Sequence, residues 1–353
     1  IAEEKNKDNS NFFYDIKKKK EKVKFIFTNY HNKHFLVCNF NLKKCDTLEV
    51  DKVQYFKILN EAMNQEFATL KDILKSNNHM VFLFDHFGGT EKSFNYTDNN
   101  WKLLKDFDSS IVKYKNSKIH IDKEQKLIVI DQLSKDGKVI FTDGRLDKWN
   151  IEFNGYLSNQ EKDKLEEYDN SNNLTGCLNF YEMEFNMVSI SSSNSLCEDS
   201  VNIIRSKGQI NKIIIKDSLS DALDVDFSNL NIKSIEVTKA INDCVDLSSG
   251  KYKLEKLNLK NCGDKAVSVG EKSTALIYEI DADFADIGLA SKDSSKVNLR
   301  NAKFNNIKTC LAAYNKKQEY NGGSITFNKM ECKNFYKKTN ADIYSDIINK
   351  NNI

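Results

Sequence analysis

Acidic and basic side chains recur in register through the second half of the chain, and their spacing is where chemistry would reside. Asp199, Asp221, Asp243 and Lys265 stand 22 residues apart, as do Asn202, Asp224, Asp246 and Ser268. In a fold that stacks equivalent positions, such carboxylates lie about one strand spacing, roughly 4.8 Å, from one another. Like charges at that range raise one another's pKa or recruit a cation. Asp226 adds an acid beside them, so Asp224, Asp226 and Asp246 form a candidate oxygen-only metal set suited to calcium. A mixed stretch follows, with Lys265, Lys272, Lys292, Lys316 and Lys317 interleaved with Glu271, Asp293 and Glu319. Asp221, Asp243 and Lys265 are the candidate catalytic residues. Asp199, Asp224, Asp246, Glu271, Lys292, Lys316 and Lys317 are the candidate ligand-binding set. A lyase-like β-elimination is easier to draw here than hydrolysis: Lys265 or a cation would neutralise a uronate carboxylate while a second basic group removes the neighbouring proton. No histidine follows His120, so that base would be a lysine, a tyrosine or a carboxylate. The competing reading is that these polar residues occupy turns and hydrogen-bond their own backbone.

The elements that position them follow from the same period. An apolar residue recurs at Val201, Leu223, Val245, Val267, Leu289 and Leu311, every step being 22 residues. The residue before each is small: Ser200, Ala222, Cys244, Ala266, Gly288 and Cys310. A second apolar pair follows in the early repeats, at Ile213 and Ile215, Ile235 and Val237, Leu257 and Leu259. Each repeat therefore holds at least two short alternating strands. A strand-rich repeat of this length, without the leucine-rich repeat's leucine and asparagine pattern, implies a β-solenoid of parallel strands stacked coil upon coil. The small column is then an inward corner too tight for larger side chains. Cys244 and Cys310 suit it as small hydrophobes, and, three coils apart, they are too distant to bond to each other. Shorter strand patterns at residues 119–121, 127–130, 139–141 and 151–153 place the start of the solenoid near residue 113.

The strings Ser220-Asp221-Ala222-Leu223-Asp224-Val225-Asp226, Asn242-Asp243-Cys244-Val245-Asp246-Leu247 and Gly263-Asp264-Lys265-Ala266-Val267-Ser268-Val269-Gly270 resemble successive coils of the right-handed parallel β-helix of the pectin-lyase-like superfamily. Their order is similar to that of polygalacturonases, in which consecutive coils carry an Asn-Thr-Asp-Gly turn, an Asp-Asp pair and a Gly-His-Gly turn. The strings from Ser291 to Ser295 and from Tyr314 to Glu319 resemble β-helix regions of bacterial surface or polysaccharide-associated proteins. The resemblance spans about residues 175 to 335 and implies the fold and its handedness, which also agrees with the usual right-handed crossover. Asp221 matches the first family aspartate and Asp243 the second of the pair. Asn242 stands where the first of the pair should be, Lys265 replaces the histidine and Ala266 the glycine after it. An amide cannot donate a catalytic proton, so the resemblance does not carry hydrolase activity across.

The first half has a different texture. Residues 1–22 form a polar arm running into Lys17-Lys18-Lys19-Lys20. Residues 23–112 read as a small α/β unit of β-β-α-β order: strands at 23–28 and 34–40, an amphipathic helix through Phe56, Leu59, Met63, Phe67, Leu70 and Leu74, and a strand at 80–85. His31, His34, Asp85 and His86 do not form a convincing metal set, and Gly88 to Ser93 lacks the glycine spacing of a phosphate loop. Residues 113–335 are the β-helix and 336–353 a C-terminal cap or tail. The fold class is thus mainly β, a right-handed parallel β-helix of 22-residue coils preceded by a small α/β domain.

Composition narrows the function. The 353 residues carry 53 basic and 51 acidic side chains, which argues against a cationic nucleic-acid binder. Proline is absent and glycine numbers only 13, so asparagine, aspartate and serine must supply most turns. No apolar run approaches the roughly 20 residues of a membrane span. A start at Ile1 fits removal of a secretory signal. Eight cysteines without a Cys-x-x-Cys pair read as free thiols, although Cys38 with Cys45, or Cys177 with Cys197, could pair in an oxidising compartment. The expectation is an extracytoplasmic, periplasmic, surface or secreted protein that binds polysaccharide without catalysis, requires no cofactor and has calcium as a candidate ion. A polysaccharide lyase or glycosidase acting on an acidic glycan is one alternative. The other is a structural component of a surface appendage, phage fibre or envelope assembly, within a larger assembly or homo-oligomer.

Overall fold

The computed structural model describes strand backbone at residues 23–27, 34–39 and 44–49, and then residues 101–107, 110–156 and 174–352. The chain divides into two compact units, residues 1–98 with 171–173, and residues 99–170 with 174–353. In the first, Val23–Phe27, His34–Asn39 and Lys44–Glu49 form an antiparallel three-stranded sheet in sequence order. Two of these strands were expected; the third was not. The expected helix through Phe56 to Leu74 and the strand at 80–85 lie outside the described residues.

The second unit is a parallel β-solenoid of about nine coils. On one face the 22-residue register holds without slippage: Val201 stands beside Leu223, Leu223 beside Val245, and Val267 beside Leu289; elsewhere one coil takes an extra residue, Leu257 standing beside Ile280. Each coil has three faces. The first holds Asp199–Ile204, Asp221–Asp226, Val245–Ser248 and Lys265–Gly270 in successive coils. A corner leads to a longer strand that bends once, as in Lys207–Ser218, Asn229–Ala240 and Lys251–Cys262, and supplies the other two faces. Pairing lapses at the bend, between Ile210 and Lys212 and again between Ile232 and Ser234.

Alternation explains the core. Val201, Leu223, Val245, Val267, Leu289 and Leu311 point inward and are wholly buried, as are Ile213, Ile235, Leu257 and Ile280 on the third face. The small column lies where expected: Cys244, Ala266 and Cys310 have no exposed surface, and a Cβ on Gly288 would come within 2.7 Å of the Cys310 carbonyl oxygen and of the Phe304 ring.

Corners require a left-handed residue, and here the stacking overrides propensity. Arg205, Phe227, Ser249, Glu271 and Asp293, each one coil on from the last, have φ between 47° and 56°. Asparagine, aspartate and serine hold ten of the twenty left-handed non-glycine positions among the described residues, so half fall to residues with no intrinsic liking for that region. A serine ladder lines the same corner: the N–H of Met183 donates to Ser206 Oγ and that of Ser206 to Ser228 Oγ, both at 3.0 Å. Gly250 interrupts it, and the Tyr252 hydroxyl fills the gap, 2.9 Å and 2.7 Å from the carbonyls of Val225 and Ser248. A Cβ on Gly250 would collide with that hydroxyl at 2.2 Å.

The two ends differ. At the first, Ser110–Lys115 runs antiparallel to Lys138–Asp147, and Ser117–Asp122 antiparallel to Leu127–Gln132, so hairpins close the stack. At the last, Lys337–Ala341 and Asp346–Asn349 add in parallel register and continue the stack. Every residue of Lys337–Ala341 is exposed, and Tyr336, Ile343 and Tyr344 project into solvent at 82%, 88% and 70% exposure.

The cysteines correct the free-thiol expectation. Disulfides join Cys177 to Cys197, Cys244 to Cys262 and Cys310 to Cys332, at sequence separations of 20, 18 and 22. The small column places Cys244 and Cys310 at the inner corner, where the returning third face brings a partner cysteine to within bonding distance. Each bridge thus braces about one coil. Cys38 stands directly opposite Cys45 in the antiparallel sheet. Closing a loop of this length stabilises a fold by about 3 kcal/mol. The Cys244→Ala/Cys262→Ala double variant should lose about that much in urea unfolding, and an unchanged midpoint would show the brace to be superfluous.

Candidate functional site

The first face brings the predicted residues together. Asp199 pairs in register with Asp221, Asn202 with Asp224, and Asp224 with Asp246, which in turn stands beside Ser268. Local alternation turns Asn202, Asp224 and Asp246 away from the apolar core, because Val201, Ile203 and their equivalents face inward.

The aspartates before each strand act across coils rather than within their own turns. Asp221 Oδ1 accepts the N–H of Asp243 and Nδ2 of Asn242, both at 2.7 Å. Asp243 Oδ1 accepts the N–H of Lys265 at 2.9 Å. Asp293 repeats the device further along, its Oδ1 accepting the N–H groups of Lys316 and Lys317 at 2.7 Å each. The expectation of self-contained turns is therefore corrected: these side chains tie one coil to the next.

Charge along the face falls into two regimes. Toward the C-terminal coils, acids and lysines pair. Lys265 Nζ lies 3.3 Å and 3.4 Å from the Asp243 carboxylate oxygens and also contacts Asp264. Lys292 Nζ lies 3.5 Å from Asp246 Oδ2, and Lys317 Nζ 2.8 Å from Glu271 Oε1. Burial pulls the Lys265 ammonium down, but Asp243 and Asp264 outweigh it and hold it above the usual lysine value. Lys292 is likewise raised by Asp246 and Glu271 against its burial. The Lys317 contact overcomes burial to lower Glu271. The Lys265 ammonium expected to neutralise a uronate is thus already engaged by Asp243 and Asp264.

Toward the N-terminal coils the acids outnumber their partners. Burial pushes the carboxyls of Asp199 and Asp224 well up, and neighbouring aspartates push them further. Burial also raises Asp221, and with Asp246 nearby it brings Asp243 to about 7 despite Lys265. Asn202 Nδ2 donates to Asp224 Oδ2 at 2.9 Å. Four oxygens on this face are buried without a hydrogen-bond partner: Asp199 Oδ2, Asn202 Oδ1, Asp246 Oδ1 and Ser268 Oγ.

Among the described residues no group of acids, histidines or cysteines is arranged to hold a metal ion. Asp224, Asp226 and Asp246 stand in the expected columns, Asp224 in register with Asp246. Lys316 joins through its backbone N–H to Asp293. Asp264 and Tyr314 were missed in the sequence, although Tyr314 stands in register beside Lys292 and could have been found by extending that column. No helix among the described residues is long and apolar enough to cross a membrane. Comparison with protein-family models, curated proteins and solved structures yields no match for this chain.

A carboxyl raised above its unfolded value stabilises the fold when protonated, and that contribution is lost as pH climbs through the folded pKa. For Asp243 the window runs from the ordinary carboxylate range, about pH 4, to about 7. Burial and neighbouring aspartates raise Asp224 in the same direction, so Asp224→Asn should stabilise the protein at pH 8 and change its stability less at pH 4. Thermal unfolding at both pH values checks this, and equal effects at each would refute it.

Proposed function

We propose that this is an extracytoplasmic polysaccharide-binding β-helix whose ligand lies along the first face of the solenoid. On this reading the coil order and right-handed sense are those of the pectin-lyase-like superfamily, used for recognition rather than cleavage. The observation that carries it is the polar column Asn202, Asp224, Asp246 and Ser268, flanked by charged residues and repeated in four successive coils, as an extended repeating ligand would require. A face with repeated polar groups suits a polymer, because each coil contributes a modest share and the shares add along the chain. The three disulfides favour an oxidising compartment. No cofactor is needed, and calcium added to a binding assay tests whether Asp224, Asp226 and Asp246 take an ion.

Asp243, held at about 7, has the proton affinity of a general acid or base. Against a hydrolytic pair stand Asn242, which donates to Asp221, and Lys265, which is committed to Asp243. An assembly role is favoured by a separate observation, the exposed apolar side chains of Tyr336, Ile343 and Tyr344, since clustered exposed apolar groups mark contact surfaces.

Immobilised neutral, acidic and amine-bearing polysaccharides should retain the purified protein without releasing reducing ends or unsaturated products. Retention by none of them would overturn the binding reading. Concentration-dependent oligomers in light scattering, lost in Ile343→Lys/Tyr344→Lys, would favour assembly.

A further inference from the structure

The three described disulfides differ in how they are placed. Cys177 and Cys197 are 0% and 4% exposed, and so are Cys244 and Cys262. Cys310 is wholly buried as well, but its partner Cys332 stands partly exposed near the end of Ser324–Lys333, between exposed Glu331 and Lys333. This bridge also sits where the last coil hangs. Cys310 lies between Thr309 and Leu311, which pair with Lys337 and Thr339, and Cys332 stands just ahead of the corner leading into Lys337–Ala341. Past that corner the apolar core thins. The inward column from Val201 to Leu311 continues into Thr339, which is exposed, and on Asp346–Asn349 Ile347 packs against the core while Ile348 faces solvent. Hydrogen bonds supply the rest: the Asn315 N–H donates to Asp342 Oδ2 and Asn351 Nδ2 to the Asn328 carbonyl, each at 2.7 Å. Water competes for such bonds at a surface, so their net hold is weak.

We infer that Cys310–Cys332 is a redox-sensitive latch: a dithiol reductant opens it ahead of the two buried bridges, and its opening frees the last coil, residues 334–352, while the earlier coils stay folded. The step is thiol–disulfide exchange, and access to a sulfur governs its rate. One thiolate of the reductant bonds to Cys332 Sγ, the S–S bond breaks, and its electron pair leaves on Cys310 Sγ. The reductant's second sulfur then displaces Cys332 and closes a cyclic disulfide, and its two protons pass to the two cysteines. The dithiol is oxidised by two electrons and the bridge reduced by two. Local opening of this kind belongs to segments with few buried apolar contacts. Tyr336, Ile343 and Tyr344 ride on the freed segment, so the redox state decides whether these apolar side chains are held in one arrangement. In an oxidising compartment the latch is closed. The inference stands apart from the polysaccharide reading.

The test treats the full chain with increasing dithiothreitol at neutral pH, traps the freed thiols with iodoacetamide and locates them by peptide mass spectrometry. Cys310 and Cys332 should be trapped at least about tenfold faster than Cys177, Cys197, Cys244 and Cys262, because access limits the exchange. Hydrogen exchange on the same samples should show Lys337–Ala341 and Asp346–Asn349 losing protection while Asp221–Asp226 and Val245–Ser248 keep theirs. Cys310→Ser/Cys332→Ser should show that pattern without reductant, and Cys244→Ser/Cys262→Ser should not. Trapping of another described bridge first overturns the latch, as does full protection of the last coil once Cys310 and Cys332 are open. Both readings come from the wild-type chain, so a variant that fails to fold leaves the test decided.

Discussion

Every property of the solenoid descends from the parallel hydrogen-bonded register that sets each residue beside its equivalent one coil away. Parallel pairing at about 4.8 Å turns a linear sequence period into columns of like side chains. Apolar columns become a continuous core, with Val201, Leu223, Val245 and Val267 wholly buried in a row. Small columns become corners, and polar columns become a face. The same rule that makes the core cheap to extend makes the acidic face costly, because it stacks Asp224 on Asp246 as faithfully as it stacks Leu223 on Val245.

That cost is met in two ways. One is structural: Asp221 and Asp243 each accept a backbone N–H from the following coil, so their carboxylates satisfy donors at the start of a strand, where the ladder has not yet begun. The other is electrostatic: Lys265 and Lys292 reach back to Asp243 and Asp246 and neutralise the C-terminal part of the array. Between them these interactions leave the N-terminal acids with raised proton affinity and unfilled oxygens. Asp243 stands at the join, bonded to the Lys265 backbone and paired with its ammonium, yet near neutrality in its own titration.

The corners show how far stacking can dominate local preference. A phenylalanine or an arginine in the left-handed region is unfavourable in isolation by about 1–2 kcal/mol, yet Arg205 and Phe227 occupy it in successive coils. Hydrogen bonds to neighbouring coils hold the backbone there: the N–H of Arg205 reaches the carbonyl of Asp226, and that of Phe227 the carbonyl of Ser248. Disulfides brace the same architecture by closing single coils, which ties the first face to the returning third face at the inner corner.

How much of this could be read from the chain alone divides along one physical line. The period, the inward columns, the small corner and the candidate carboxylate columns were legible, because a stacked coil writes its geometry into the sequence at fixed intervals: Val201 to Leu311 announce the core, and Asp199 to Asp243 announce the face. Of the disulfides described, Cys177 with Cys197 was offered by the sequence and is formed, but the other partners were not legible. Cys262 and Cys332 lie on the returning face, and only the way the coil closes brings them to Cys244 and Cys310. The pairing of Lys292 with Asp246 spans 46 residues and two coils, and the bonds from Asp221 and Asp243 to the next coil's backbone depend on side-chain direction at a corner. Periodicity determines which residues share a column, since equal spacing means equal position in the coil. Which columns face each other, and which charges are neutralised, is decided by the path the chain takes between them, and only the tertiary structure holds that path.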